Sequence, residues 1–125
     1  MVPGRQLAFL WGGAALVCAA AAPWASAFAQ AMPPCPFREL LGVPCLTCGS
    51  TRALVALARI DLGAAFGWNP FMAGAGILFI AGGIVALGAA LLGGEVRAPR
   101  ATPFLRVALA AAIAVNWAFL VAAGR

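Results

Sequence analysis

Three stretches of this chain are long, apolar and almost free of charge, and they decide what it can fold into. Residues 7–28 carry no charged side chain, residues 70–94 carry none, and residues 103–123 carry only Arg106. As a helix the first stretch would extend about 33 Å, against a hydrocarbon core of about 30 Å. Composition agrees: 65% of the 125 residues are hydrophobic and only 9% are charged. A soluble domain carries about 25% charged residues, so this chain has too few charges to cover a water-facing surface. Mean hydropathy is +1.03. The expectation is an all-α integral membrane protein with about three transmembrane helices, forming one membrane domain over 1–125. The helices are expected at 7–29, 70–93 and 103–123, with a cysteine-rich loop containing short interfacial helices at 32–69.

The first stretch has a second reading. Arg5, an apolar run and the small residues at Ala27 and Ala29 also describe a secretory signal peptide. The length of the run favours an uncleaved helix, which Pro23 should bend or end early. Rows of small residues at every fourth position (Ala14, Cys18, Ala22; Gly82, Ala86, Ala90; Ala110, Ala114, Ala118) permit close helix packing in lipid, although a chain rich in alanine and glycine produces such rows freely.

All eight basic residues are arginines and the net charge is +5, with no histidine or lysine. The arginines do not cluster as a nucleic-acid groove would require; they flank apolar runs, where they anchor helix ends. No nucleic-acid partner is expected. The partners are the lipid bilayer and, through the helix faces, other membrane subunits or a second copy. With three crossings, Arg5, Arg97, Arg100 and Arg106 share one side, and Arg38, Arg52, Arg59 and Arg125 share the other. Discounting Arg52 and Arg59 as partly buried tips the positive-inside rule toward an outward-facing cysteine segment.

Chemistry concentrates in that segment. Cys35, Cys45 and Cys48 fall among turn-forming residues, whereas Cys18 reads as a small apolar filler within a packed helix. Cys45-Leu46-Thr47-Cys48-Gly49 has the spacing of a metal knuckle, in which two thiolates face one ion and the glycine permits the turn. It is also the spacing of a redox pair, whose thiolate a following helix N-terminus would stabilise. Ser50 or Thr51 is the expected N-cap of that helix, and Arg52 adds a cation. A third reading is structural, with Cys35 bridged to Cys45 or Cys48 in an oxidising compartment. The metal candidates are Cys35, Cys45 and Cys48, for zinc or another thiophilic ion, with Asp61, Glu39 or a second chain as fourth ligand. The redox candidates are Cys45 and Cys48. Asp61 is expected to cap a short helix. Asn69 and Pro70 form an N-cap and N1 pair that starts the next one, so Asn69→Asp should be mild. Asn116, deep in the last apolar run, should hydrogen-bond a neighbouring helix.

Cys35-Pro36-Phe37, Gly42-Val43-Pro44-Cys45-Leu46-Thr47-Cys48-Gly49-Ser50-Thr51-Arg52-Ala53, Asp61-Leu62, Ala65-Phe66 and Asn69-Pro70 together resemble a bacterial membrane family, the domain of unknown function numbered 2752. That family often has proline where this chain has Leu46. The resemblance implies a multi-pass protein of the bacterial inner membrane and no particular activity. The leading reading is a non-enzymatic small membrane protein whose cysteine segment is a structural or ligand-binding element. The alternatives are a membrane thiol–disulfide oxidoreductase using Cys45 and Cys48, with Cys35 resolving, and a metal-binding protein using all three thiols.

Overall fold

The computed structural model describes residues 4–94 and 102–124. The polar connector from Glu95 to Arg100 and Arg125 lie outside the described residues. Those described form helices and turns without strands. In chain order the helices are α1 (Gly4–Ala20), a short 3₁₀ turn (Ala22–Trp24), α2 (Ala25–Ala31), α3 (Pro36–Leu41), α4 (Ser50–Ala58), α5 (Leu62–Trp68), α6 (Pro70–Leu91) and α7 (Pro103–Ala122). Helices α6 and α7 are long and apolar enough to cross a membrane, and α1 with the segment after it makes a third candidate if that bent pair is one span.

The first apolar run is broken. A turn at Ala22-Pro23-Trp24 separates α1 from α2, and α1 meets the whole segment Ala22–Leu41 at 46°. Proline cannot donate the i→i−4 bond and its ring crowds the preceding turn, which accounts for a break at this position. The single helix expected over 7–29 is therefore two helices with an intervening turn.

Helix α1 lies antiparallel along α6. Ala8 packs against Ala86 and Ala90 near the end of α6, while Trp11 donates from its indole Nε1 to the Phe79 carbonyl at 3.1 Å. Between them the backbones come so close that a Cβ on Gly83 would stand 2.5 Å from the Ala15 Cβ. One small-residue row thus packs as expected, the one at Gly82, Ala86 and Ala90. The α1 side of the contact is Ala8, Gly12 and Ala15, not Ala14, Cys18 and Ala22. Cys18 is exposed, so it is no filler of a packed interface. The Ala110, Ala114, Ala118 row of α7 is exposed as well. With alanine this frequent, spacing alone did not tell a packed row from an unpacked one.

The short helices α4 and α5 pack on the first two turns of α6. Ala56, Ala65 and Ala73 form their common core, and Gly76 makes room for Leu57 and Leu54. A Schellman-type turn joins α4 to α5: the Asp61 N–H donates to the Ala56 carbonyl and the Ile60 N–H to the Leu57 carbonyl. Ile60 takes the left-handed position with φ +60°, which glycine usually fills because a β-branched residue is strained there. Helix α7 is held near its C-terminal end. Asn116 Oδ1 accepts from the Phe71 N–H at 3.0 Å, meeting the expectation of an interhelical bond, and Leu120 is fully buried.

The buried residues are mostly alanine, while large side chains such as Leu78, Val85, Phe104 and Val115 face outward. Outward apolar and inward small residues suit a helical bundle surrounded by lipid, where close packing rather than the hydrophobic effect joins the helices.

Candidate functional site

Four pieces of backbone position the thiols. Met32 is extended, residues 33–34 have no regular structure, and the extended Cys35 stands at the N-cap of α3. Gly42, with φ +67°, ends α3 and turns the chain back. Residues 45–48 then form a turn closed by the Cys48 N–H donating to the Cys45 carbonyl at 3.0 Å. Gly49, with φ +79°, leads directly into α4.

The result is convergence. The Sγ atoms of Cys35, Cys45 and Cys48 all lie within 4.8 Å of one another. Cys35 and Cys45 approach to 3.4 Å between their sulfurs. Cys48 is buried and the other two are half-buried. Thr47 Oγ1 stands 3.4 Å from the Cys45 sulfur. Tetrahedral zinc with bonds of about 2.3 Å holds its sulfurs about 3.8 Å apart, so this spacing needs only small adjustments to receive one ion.

The thiols differ in acidity. The amide N–H groups of Arg38 and Phe37, at the start of α3, together with the Cys45 and Cys48 side chains, hold Cys35 below the ordinary thiol range despite some desolvation; the Arg38 amide contributes most. Burial pushes Cys48 up, and the neighbouring Cys45 and Cys35 add to this, against a lowering contact with the Cys45 backbone. The most acidic of these two is thus the thiol outside the Cys-x-x-Cys pair.

The cap of α4 differs from the expectation. Neither Ser50 nor Thr51 caps it; the N-cap is Gly49, with no side-chain cap bond. A Cβ at Gly49 would meet the Trp68 carbonyl oxygen at 3.0 Å, and the left-handed backbone disfavours any other residue. Ser50 and Thr51 are the first helical residues, both half-buried. Arg52 was expected to supply a cation to the thiols. Its guanidinium stacks over the Trp68 ring at 4.7 Å, and no arginine side chain is among the causes that shift Cys35 or Cys48. Both Arg52 and Arg59 are exposed, so the burial that would have discounted them in the arginine balance is not present.

Asp61 caps α5 as expected, its Oδ1 accepting from the Ala64 N–H at 2.9 Å. Neither Asp61 nor Glu39 joins the three thiols in the cluster. Asn69 caps α6, its Oδ1 accepting from the Met72 N–H at 3.0 Å, and Pro70 opens that helix. The other end of the Asn69 amide does something the sequence reading did not foresee. Nδ2 donates to the Cys48 carbonyl at 3.1 Å and to the Leu46 carbonyl at 3.4 Å. One fully buried side chain therefore fastens the thiol turn to the start of α6.

Two further supports were missed. Trp117 Nε1 donates to the Pro44 carbonyl at 3.1 Å, and Arg38 donates to the Gly124 carbonyl at 3.0 Å. The only hint in the sequence was a tryptophan next to Asn116, and nothing there indicated its partner.

The family model described as "Protein of unknown function (DUF2752)" matches residues 35–83. The resemblance drawn from the cysteine segment is thus borne out over the stretch that carries it, and the match continues into α6. No curated protein and no solved structure matches the chain.

Proposed function

We propose that this chain is a small multi-pass protein of the bacterial inner membrane that holds one thiophilic metal ion, zinc foremost, between Cys35, Cys45 and Cys48. The observation that carries this reading is the meeting of all three sulfurs within 4.8 Å. A disulfide would use two of them and give no reason for the third to converge. The acidic Cys35 and the buried, turn-held Cys48 suit ligands that must shed protons to bind. Since no carboxylate joins the cluster among the described residues, the fourth position falls to water, a small ligand or a neighbouring subunit. That is an open site rather than a closed structural one.

A disulfide staple or thiol–disulfide oxidoreductase is the second reading, supported by the 3.4 Å approach of Cys35 and Cys45. The pair it favours is Cys35 with Cys45, not Cys45 with Cys48. The two readings call for different compartments. A metal–thiolate site keeps its thiols in a reducing cytoplasm, whereas a staple forms on the outer face. With Arg52 and Arg59 exposed, the arginine balance favours neither side.

Metal analysis of protein purified in detergent under reducing conditions is the test. About one ion per chain is expected, lost on changing any one of Cys35, Cys45 or Cys48 to Ser and retained in Cys18→Ser. Cobalt substitution should give thiolate-to-metal charge-transfer absorption. Metal-free protein that loses two titratable thiols when reductant is withheld would overturn the metal reading in favour of the disulfide. If Cys45→Ser with Cys48→Ser lowers only the amount of folded protein, the segment is a structural staple.

A further inference from the structure

A second polar site shares no residue with the thiol cluster. A cleft of about 410 Å³ opens between α2, α4 and α5, bounded by Ala29, Val55, Arg52, Arg59, Asp61 and Trp68 among others. Its charge is unbalanced, with two guanidiniums against one carboxylate. Asp61 already uses Oδ1 to cap α5. Among the described residues neither arginine is in a salt bridge, and Arg52 has only its stacking contact with Trp68. Arg52, in the first turn of α4, and Arg59, at its C-cap, are about two turns apart, and both line the same opening. The indole beneath Arg52 holds its guanidinium flat and limits its freedom, which lowers the entropic cost of presenting it to a ligand.

The depth of the cleft narrows its chemistry. Leu54 and Leu57 of α4 pack at Gly76, within the first two turns of α6. The cleft therefore sits level with the start of a helix suited to span the membrane, which is where lipid headgroups lie. Forked guanidinium donors match the oxygens of a phosphate group.

We infer that Arg52 and Arg59 form a binding site for a phosphate group, carried by a phospholipid headgroup or by a free phosphate compound, with Asp61 at its rim moderating the affinity. This site is separate from the thiol cluster and does not depend on the metal reading.

The test uses the full chain, delipidated in a phosphate-free non-ionic detergent. It is titrated with inorganic phosphate in one arm and with dihexanoyl phosphatidylglycerol in the other, and binding is followed by calorimetry and native mass spectrometry. Changing Arg52 and Arg59 together to Gln should weaken binding by about tenfold or more. Asp61→Asn keeps a capping side chain and removes the opposing charge, so it should tighten binding several-fold. A misfolded variant does not produce such a gain. Binding of the lipid analogue alone identifies a headgroup site, and binding of inorganic phosphate identifies a free-phosphate site; either supports the inference. No binding in both arms, or equal binding by the wild type and the double arginine variant, overturns it.

Discussion

Asn69 shows how much one side chain can carry beyond its obvious role. From the sequence it was an N-cap followed by proline, and on that basis aspartate should replace it well. The cap is present, but the amide nitrogen also serves two carbonyls of the thiol turn. Aspartate keeps the acceptor and sets a second oxygen against those carbonyls. Asn69→Ala should therefore destabilise by about 2–3 kcal/mol, as the sum of a lost cap and unsatisfied buried groups, and Asn69→Asp, which keeps the cap, by about 1–3 kcal/mol from the unsatisfied carbonyls alone. Thermal unfolding in detergent would measure this. Lowering the pH should partly rescue Asn69→Asp, since a protonated carboxyl regains a donor. A melting temperature for Asn69→Asp equal to that of the wild type would show that the two carbonyls do not need the amide. The thiols were legible as a group, because proline and glycine mark the chain reversals between them. Their ranking was not, because it depends on which sulfur meets the amides of α3 and which is buried. As pH rises Cys35 should ionise before Cys48, so its alkylation rate should climb at lower pH, which mass spectrometry of iodoacetamide-treated metal-free protein can follow. The linked stabilities have opposite signs. The lowered pKa of Cys35 favours the fold above its unfolded value, and this is lost as pH falls through the folded one. The raised pKa of Cys48 favours the fold below its unfolded value, and this is lost as pH rises through the folded one.

Among the elements, the α1–α6 pair is held by the absence of side chains. A Cβ on Gly12 would meet the Leu87 Cβ at 2.5 Å and the Gly83 carbonyl at 2.9 Å, and one on Gly83 would meet the Ala15 Cβ at 2.5 Å. Backbone and Cβ atoms cannot swing aside as the end of a side chain can. Gly83→Ala should therefore push the helices apart and cost on the order of 1–3 kcal/mol. Gly88 belongs to the same helix but has no atom within 4 Å of its would-be Cβ. There alanine should be neutral or stabilise by about 0.5–1 kcal/mol, from helix propensity alone. Comparing the two variants by unfolding in detergent separates packing from propensity; equal effects would mean that α1 does not rest on α6 at this point. The sequence announced both helices through their apolar length, and Pro23 marked the bend. It did not announce which face of α1 meets α6, because Ala8, Gly12 and Ala15 look no different from the exposed Ala14 and Ala19. Small residues mark an interface only where larger ones flank it, and this chain has small residues on every face.

At the scale of the whole molecule, the contacts fix which ends lie together. Ala8 near the start of α1 meets Ala90 near the end of α6, so these two helices run in opposite directions. Phe71 at the start of α6 meets Asn116 late in α7, so α6 and α7 do as well. The thiol segment, the beginning of α6 and the end of α7 consequently gather at one end of the bundle. Trp117 and Arg38 tie them there through the Pro44 and Gly124 carbonyls. Much of the rest of α7 is exposed, so its C-terminal part acts as a latch on the thiol segment. Two consequences follow for the protein in its membrane. A reporter fused after Arg125 should lie on the same side as Cys35, and opposite to one fused at the N-terminus; impermeant thiol labelling of intact cells reads both. Trp117→Phe keeps the ring and removes the donor, leaving the buried Pro44 carbonyl without that partner at a cost of about 1–3 kcal/mol. Because that carbonyl directly precedes Cys45, the loss should appear first as faster labelling of Cys45 and Cys48 in metal-free protein. Phe104→Ala, at the far and exposed end of α7, should leave both rates unchanged. If the two variants label alike, α7 does not latch the thiol turn, and its contacts there are incidental to the order of the site.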